Sequence, residues 1–161
     1  MIKKNINASV IFHVIKLAET WKKNGDLVTQ QYGITTQQWL ILLLLANDPN
    51  ILYFQERKHE KALMAKELAE AMNVSRANIT NLLNVLLKKK LIQQIADGHD
   101  KRRKRIVLTA AGEKLVNALE DIRHDYNNRL FVKFSKTDKE QFVGFIKVIL
   151  QAMRNSPLSK K

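Results

Sequence analysis

Val74-Ser75-Arg76-Ala77-Asn78-Ile79-Thr80-Asn81-Leu82-Leu83-Asn84-Val85-Leu86-Leu87-Lys88-Lys89-Lys90 decides the fold of this chain once it is read with what flanks it. Ser75 is an N-cap residue whose oxygen suits the free amides of a first helical turn. Ile79, Leu82, Val85 and Leu86 recur at helical spacing as a buried stripe, and the helix reaches about Lys89. Upstream, a helix over roughly Ala62 to Met72 is joined to it by Asn73-Val74 alone, a helix-turn-helix pattern. Downstream, Leu91–Ala96 and Arg105–Leu108 read as two short strands around Asp97-Gly98-His99-Asp100-Lys101-Arg102-Arg103-Lys104, a glycine-containing hairpin loop.

A helix-turn-helix followed by a hairpin is a winged helix, and each part carries chemistry suited to DNA. The second helix of such a pair presents its N-terminal residues to base edges in the major groove. Opposite the apolar stripe stand Arg76, Asn78, Thr80 and Asn81. Arg forks onto guanine, Asn pairs with adenine, and Thr touches a thymine methyl or a phosphate. Ser75 and the first-turn amides suit a phosphate oxygen. Taken alone, these residues would be an ordinary cap and a solvated face; the basic hairpin after them favours DNA. Lys101, Arg102, Arg103, Lys104 and Arg105 are five consecutive cations whose local acid is Asp100. Their mutual repulsion has no use in an isolated protein. A narrow minor groove is a natural site for one of the arginines.

Working outward, Ile6, Val10, Val14, Leu17 and Trp21 mark an amphipathic helix from Ile6 to about Gln31, broken at Tyr32-Gly33-Ile34 with the glycine as cap. Thr35 and Gln38 form a reciprocal capping pattern that opens a helix to about Asn47, apolar all round and central to the core. Asp48-Pro49-Asn50 ends it, because proline disfavours helical geometry in the preceding residue. Ile51 to Lys61 carries no clear assignment. Thr109 caps a fifth helix through Leu115, Leu119, Ile122, Tyr126 and Leu130, and Thr137 with Glu140 opens a last one through Phe142, Phe145, Ile149 and Met153. The fold class is mainly α with a small two- to three-stranded β wing.

Composition agrees. The 161 residues hold 28 Lys+Arg against 15 Asp+Glu, for a net charge of +13, and a folded domain this basic meets a polyanion. At 45% hydrophobic the chain is too apolar for a disordered tail. With no cysteine there is no disulfide, thiolate metal site or thiol nucleophile. Its longest apolar run, Trp39 to Ala46, is eight residues, against the ~20 that span a membrane. Asn5, Asn7 and Lys16 interrupt any secretory signal, so a cytoplasmic protein without membrane partners is expected. Phosphate loops, two-histidine metal motifs and nucleophile elbows are missing, so no enzyme and no cofactor is expected. Glu67 and Glu70 read as a solvated helix face. His13, His59, His99 and His124 are scattered, and no metal is assigned to them.

The chain resembles the MarR family of bacterial transcription regulators over about residues 10 to 150. The resemblance is carried by Ile34-Thr35-Thr36-Gln37-Gln38-Trp39, Ala65-Lys66-Glu67-Leu68-Ala69, Val74-Ser75 with Ile79-Thr80-Asn81-Leu82, and above all Asp100-Lys101-Arg102 followed by Ile106-Val107-Leu108-Thr109-Ala110-Ala111-Gly112. It implies a winged helix-turn-helix over 35–109 within a single chain of 1–161, with dimerisation helices in 1–34 and 110–161. It also implies a homodimer on pseudo-palindromic double-stranded DNA, most often a repressor, that loses affinity on binding a small aromatic effector. Asp100 would orient the wing through an ion pair, and Arg102 would reach the minor groove. Phe12, Trp21, Trp39, Tyr53 and Phe54 are candidate effector-pocket residues, with His13 beside them, although such aromatics also serve as core. Lys90 departs from the family, which usually has glycine there; it must take a left-handed backbone or end the helix differently. The segment Ile51 to Lys61 is longer than usual and could be a loop, a phosphate contact through Arg57 and Lys58, or part of a pocket. The competing function is a structural nucleic-acid binder without sequence preference, which would show steep salt dependence and no specificity ratio.

Overall fold

The computed structural model describes residues 3–51, 62–98 and 100–155. Tyr53, Phe54, Arg57, Lys58, His59 and His99 therefore lie outside the described residues. The chain forms two compact units, Met1–Asn117 and Ala118–Lys161.

In the first unit, α1 (Ile6–Thr29) continues into a single 3-10 turn, Gln30–Tyr32. Gly33 then reverses the chain with φ +64°. Helix α2 (Thr36–Leu45) opens with the reciprocal Thr35–Gln38 cap that its sequence predicts. Asp26 of α1 adds a tertiary cap, its Oδ1 accepting the Thr36 amide at 2.7 Å. Ile41, Leu42, Leu43, Leu44 and Leu45 of α2 are buried, with Leu40 left partly exposed. The helix stops at Leu45, earlier than the proline rule puts it. Asn47 adopts a left-handed backbone, φ 57°, and its amide and that of Asp48 return to the carbonyls of Leu44 and Leu43. The stop is thus an asparagine cap, with Pro49 lying beyond a turn that is already made.

The third helix begins three residues later than its pattern suggests. Leu63–Met64 is strand β1, and α3 covers Ala65–Met72, with Glu67 Oε2 accepting the Met64 amide at 2.7 Å. A left-handed Asn73, φ 51°, turns the chain into α4 (Arg76–Lys88). Strands β2 (Ile92–Ala96) and β3 (Lys104–Leu108) complete an antiparallel sheet of order β1-β3-β2. β3 is central, with Arg105 opposite Met64 on one side and Ile95 on the other. The core beneath the sheet and helices contains fully buried Ile41, Leu42, Leu68, Ile79, Leu86 and Ile106. Each such side chain contributes about 1.5–3 kcal/mol through apolar burial.

Helix α5 (Ala110–Leu130) starts in the first unit, where Thr109 Oγ1 accepts the Gly112 amide at 3.1 Å. Val116 and Leu119 are its buried apolar residues, while Leu130 is exposed. The second unit ends in α6 (Lys136–Asn155). This helix opens one residue before the Thr137 expected to cap it. The cap is Ser135, whose Oγ accepts the Asp138 amide at 3.1 Å while Asp138 Oδ2 accepts the Ser135 amide at 2.8 Å. Serine outcompetes Thr137 because the pairing of residue and acidic partner three positions on is equally good and lies earlier. No residue of α6 is buried, and Phe145 and Val148 are each about two-thirds exposed. Among the described residues, no helix is long and apolar enough to cross a membrane.

Candidate nucleic-acid interface

The exposed face of α4 is built by two constraints, the core beneath and the cap at its start. Ile79, Leu82, Leu83 and Leu86 face the core. Val85, expected in that stripe, is 39% exposed, and Leu83 takes its place. The stripe rotates because the helix packs on α2, α3 and β2 together, which buries a wider arc than one row. Turned outward are Arg76, Ala77, Thr80, Asn81, Asn84 and Val85. These recur at alternating steps of one and three residues and so form one surface along the helix. Asn84 is a member of this face that the sequence reading passed over; its position eight residues after Arg76 was the available signal.

At the start of the helix, Ser75 Oγ accepts the Asn78 amide at 3.2 Å. This leaves Asn78 half-buried and Ser75 and Arg76 exposed. Thr80 donates its hydroxyl to the Arg76 carbonyl at 2.8 Å, which holds its rotamer on the exposed face. At the far end Lys90 has φ 57°, so the lysine takes the left-handed turn. Its carbonyl accepts a hydrogen bond from Thr109 Oγ1 at 2.7 Å.

The wing divides its cations into two groups. Among the described residues, the exposed side chains of Lys101, Arg102 and Lys104 make no hydrogen bond or ion pair. Arg103 is paired with Asp100, Nε to Oδ2 at 3.4 Å, and the other Asp100 oxygen accepts the Arg102 amide at 3.0 Å. Arg105 is different again. Its Nε donates to Asp97 Oδ2, and its Nη1 donates to the carbonyl of Ala62 at 2.9 Å. Asp100 is therefore not the sole local acid. Asp97, only 5% exposed, is a second acid that the reading of the hairpin as a loop had overlooked. Between Arg76 and Arg105 the chain carries nine Lys and Arg against two acids, so a large part of its positive charge is concentrated on this part of the fold.

The aromatic candidates for an effector pocket are not alike. Phe12 is 71% and Trp21 41% exposed on α1, beside His13, whose Nδ1 lies 2.7 Å from the Ser9 carbonyl. Trp39 is in the core, and its indole N–H is buried without a hydrogen-bond partner among the described residues. Among those residues, no three His, Asp or Glu side chains come together as a metal site requires.

A family model described as "MarR family" matches residues 32–103, the segment holding the helix-turn-helix and the first strand and loop of the wing. The HTH-type transcriptional regulator FarR of Neisseria gonorrhoeae is 30% identical over 122 residues, covering 75% of each chain. This chain belongs to the MarR family. The transcriptional activatory protein BadR of Rhodopseudomonas palustris is 23% identical over 94% of this chain and 82% of its own length. Among solved structures, an S. aureus MepR–DNA complex superimposes with a TM-score of 0.72 at 28% identity, over 90% of this chain and 95% of that one. The MarR-family winged helix-turn-helix is thus the scaffold on which the exposed face of α4 and the exposed wing cations stand. The family is one of transcription regulators.

Proposed function

We propose that this MarR-family protein is a cytoplasmic, non-enzymatic repressor that reads a pseudo-palindromic operator as a homodimer and releases it on binding a small aromatic effector. The observation that carries DNA reading is the exposed row of Arg76, Thr80, Asn81 and Asn84 on a helix whose opposite face is buried, followed by the exposed wing cations Lys101, Arg102 and Lys104. Arg76 and the asparagines would meet base edges, Ser75 and the first-turn amides a phosphate, and Arg102 the minor groove. The MepR complex with DNA, the same scaffold at 28% identity, supports this reading.

Dimerisation is supported by the exposed apolar residues of α1 and α6, taken separately. Ile6 and Phe12 on α1, and Phe145, Val148 and Met153 on α6, are each about two-thirds exposed or more. Apolar exposure on this scale marks a surface that another chain covers. A second copy would place two recognition helices about 34–36 Å apart, one turn of DNA. Release by an effector rests on the family resemblance. The rings of Phe12 and Trp21 are accessible to such a ligand. Repression likewise rests on that resemblance, and the R. palustris relative bears an activator's name.

Fluorescence anisotropy against the DNA upstream of the protein's own gene, with a scrambled duplex beside it across a salt series, tests the proposal. Preference for the upstream duplex that persists at ~0.15–0.2 M salt is expected. In the Arg76→Ala protein that preference should fall by about 1–3 kcal/mol while scrambled DNA is bound nearly as before. Equal loss on both duplexes would remove the base-reading role. Equal wild-type binding that collapses with salt on both would favour a structural nucleic-acid binder. A reporter driven by the upstream region, with and without the protein, gives the direction of regulation.

A further inference from the structure

From the position of Arg105 on the central strand, we infer that Arg105 and Asp97 are positioning residues that fix the wing tip against the helix-turn-helix, and that Arg105 acts through Asp97 and not through the DNA phosphates. The inference rests on the DNA-reading function proposed above and assigns parts within it.

Arg105 is the one wing cation whose guanidinium is directed into the protein among the described residues. Its side chain is 20% exposed, against 64% for Arg103 two residues earlier. The guanidinium spans two elements. One side meets the buried Asp97 carboxylate at the end of β2, and the other meets the carbonyl of Ala62. Ala62 immediately precedes β1, and β1 leads directly into α3. From Asp97 the connection continues toward the wing tip. Asp97 Oδ1 accepts the Asp100 amide at 3.0 Å, and the Asp97 amide donates to the Arg103 carbonyl at 3.0 Å. Asp100 in turn accepts the Arg102 amide at 3.0 Å. The backbone of Arg102 is thereby tied through two carboxylates and one guanidinium to the entry of the helix-turn-helix.

The chemistry suits this task. A planar guanidinium presents donors in fixed directions, so it can hold a carboxylate and a carbonyl at a set angle, which the freely rotating ammonium of a lysine would leave undefined. A carboxylate as buried as Asp97 needs its charge and lone pairs satisfied, which makes the arrangement rigid as well as stable. A wing tip must be held within a fraction of an ångström for an arginine to enter a groove.

The discriminating variant is Asp97→Asn, which removes a negative charge. On electrostatic grounds alone it should bind every duplex slightly more tightly. Positioning predicts the opposite on the operator: binding weakened roughly tenfold or more, with scrambled DNA bound as well as or better than by the wild type. Arg105→Gln should show the same loss of preference. The double variant Asp97→Asn/Arg105→Gln has the wild-type net charge and leaves no buried charge unpaired, so it answers the question even where a single variant is too unstable to assay. Its loss should equal that of either single variant, because the two residues act as one unit.

Circular dichroism melts establish that each protein is folded at the assay temperature. Operator binding by Asp97→Asn that is unchanged or tighter would overturn the inference. So would a wild-type preference retained by the double variant, or an Arg105→Gln defect equal on both duplexes with a salt slope lower by about one, the mark of a lost phosphate contact. Wild-type protein without any duplex preference would instead overturn the function proposed above.

Discussion

Gly112 lies so close to the carbonyl of Leu91 that a Cβ atom at this glycine would stand 2.1 Å from the carbonyl oxygen. Three residues earlier, Thr109 donates its amide to the same carbonyl at 3.1 Å and its hydroxyl to the carbonyl of Lys90 at 2.7 Å. The start of α5 is thus seated directly on the end of α4. Every other residue type at 112 would force the two backbones apart. The Leu-Thr-x-x-Gly tail of the wing motif is, physically, this seat.

Gly112→Ala should therefore destabilise the protein by about 1–3 kcal/mol or more, since backbone cannot move aside as a flexible side chain can. Urea unfolding followed by circular dichroism measures it. A midpoint equal to that of the wild type would show that the junction adjusts freely.

Lys90 holds a left-handed backbone, φ 57°, the conformation that glycine adopts without strain. A side chain in that region costs roughly 1–2 kcal/mol, and the greater unfolded-state freedom of glycine offsets part of the relief. Lys90→Gly should raise stability by about 0.5–1 kcal/mol. The anisotropy salt series on the same variant reports whether the lost cation met a phosphate, through a slope lower by about one.

Asp26 supplies the acid end of the stability profile. Burial acts to raise its pKa, but the hydrogen bonds from Thr36 and the ammonium of Lys22 outweigh it and hold the carboxyl below its ordinary 3.8. A depressed folded-state pKa gives stability that is fully present above 3.8 and is lost as the pH falls through the folded value. Asp138, lowered by its hydrogen bonds with Ser135, works in the same direction. Thermal midpoints should fall as the pH drops below about 4, and the Asp26→Asn protein should lose less over that interval than the wild type. Parallel curves for the two proteins would show that Asp26 carries none of the dependence.

Phe145 is 66% exposed in the single chain, so its replacement should cost the protomer little stability. For the homodimer proposed above, Phe145→Glu should nevertheless sediment as a monomer where the wild type sediments as a dimer, because a charge buried at an apolar interface has no partner there. A variant that sediments as a dimer would place the contact surface elsewhere.

Features that depend on neighbours a few residues apart are legible in the amino-acid order. Apolar spacing marked the long helices at both ends of the chain and the buried side of α4, and the Thr35–Gln38 and Ser75 caps set the starts of α2 and α4 within a residue. The run of cations set between two strand patterns marked the wing, and Asp100-Lys101-Arg102 with its tail pointed to the family. Tertiary structure decided what depends on distant partners. Arg105 stands in an unbroken row of cations, and its meaning comes from the carbonyl of Ala62, 43 residues away, across a strand too short to show any alternation. Leu83 and Val85 exchange places because burial of α4 is set by several elements at once, whereas a stripe drawn on one helix assumes a single contact line. Ser135 displaces Thr137 because two equally good local caps compete and the packed chain uses one of them. Local rules are enforced by hydrogen bonds within a turn and survive into any fold. A buried ion pair or a shared face exists only once remote segments have been brought together.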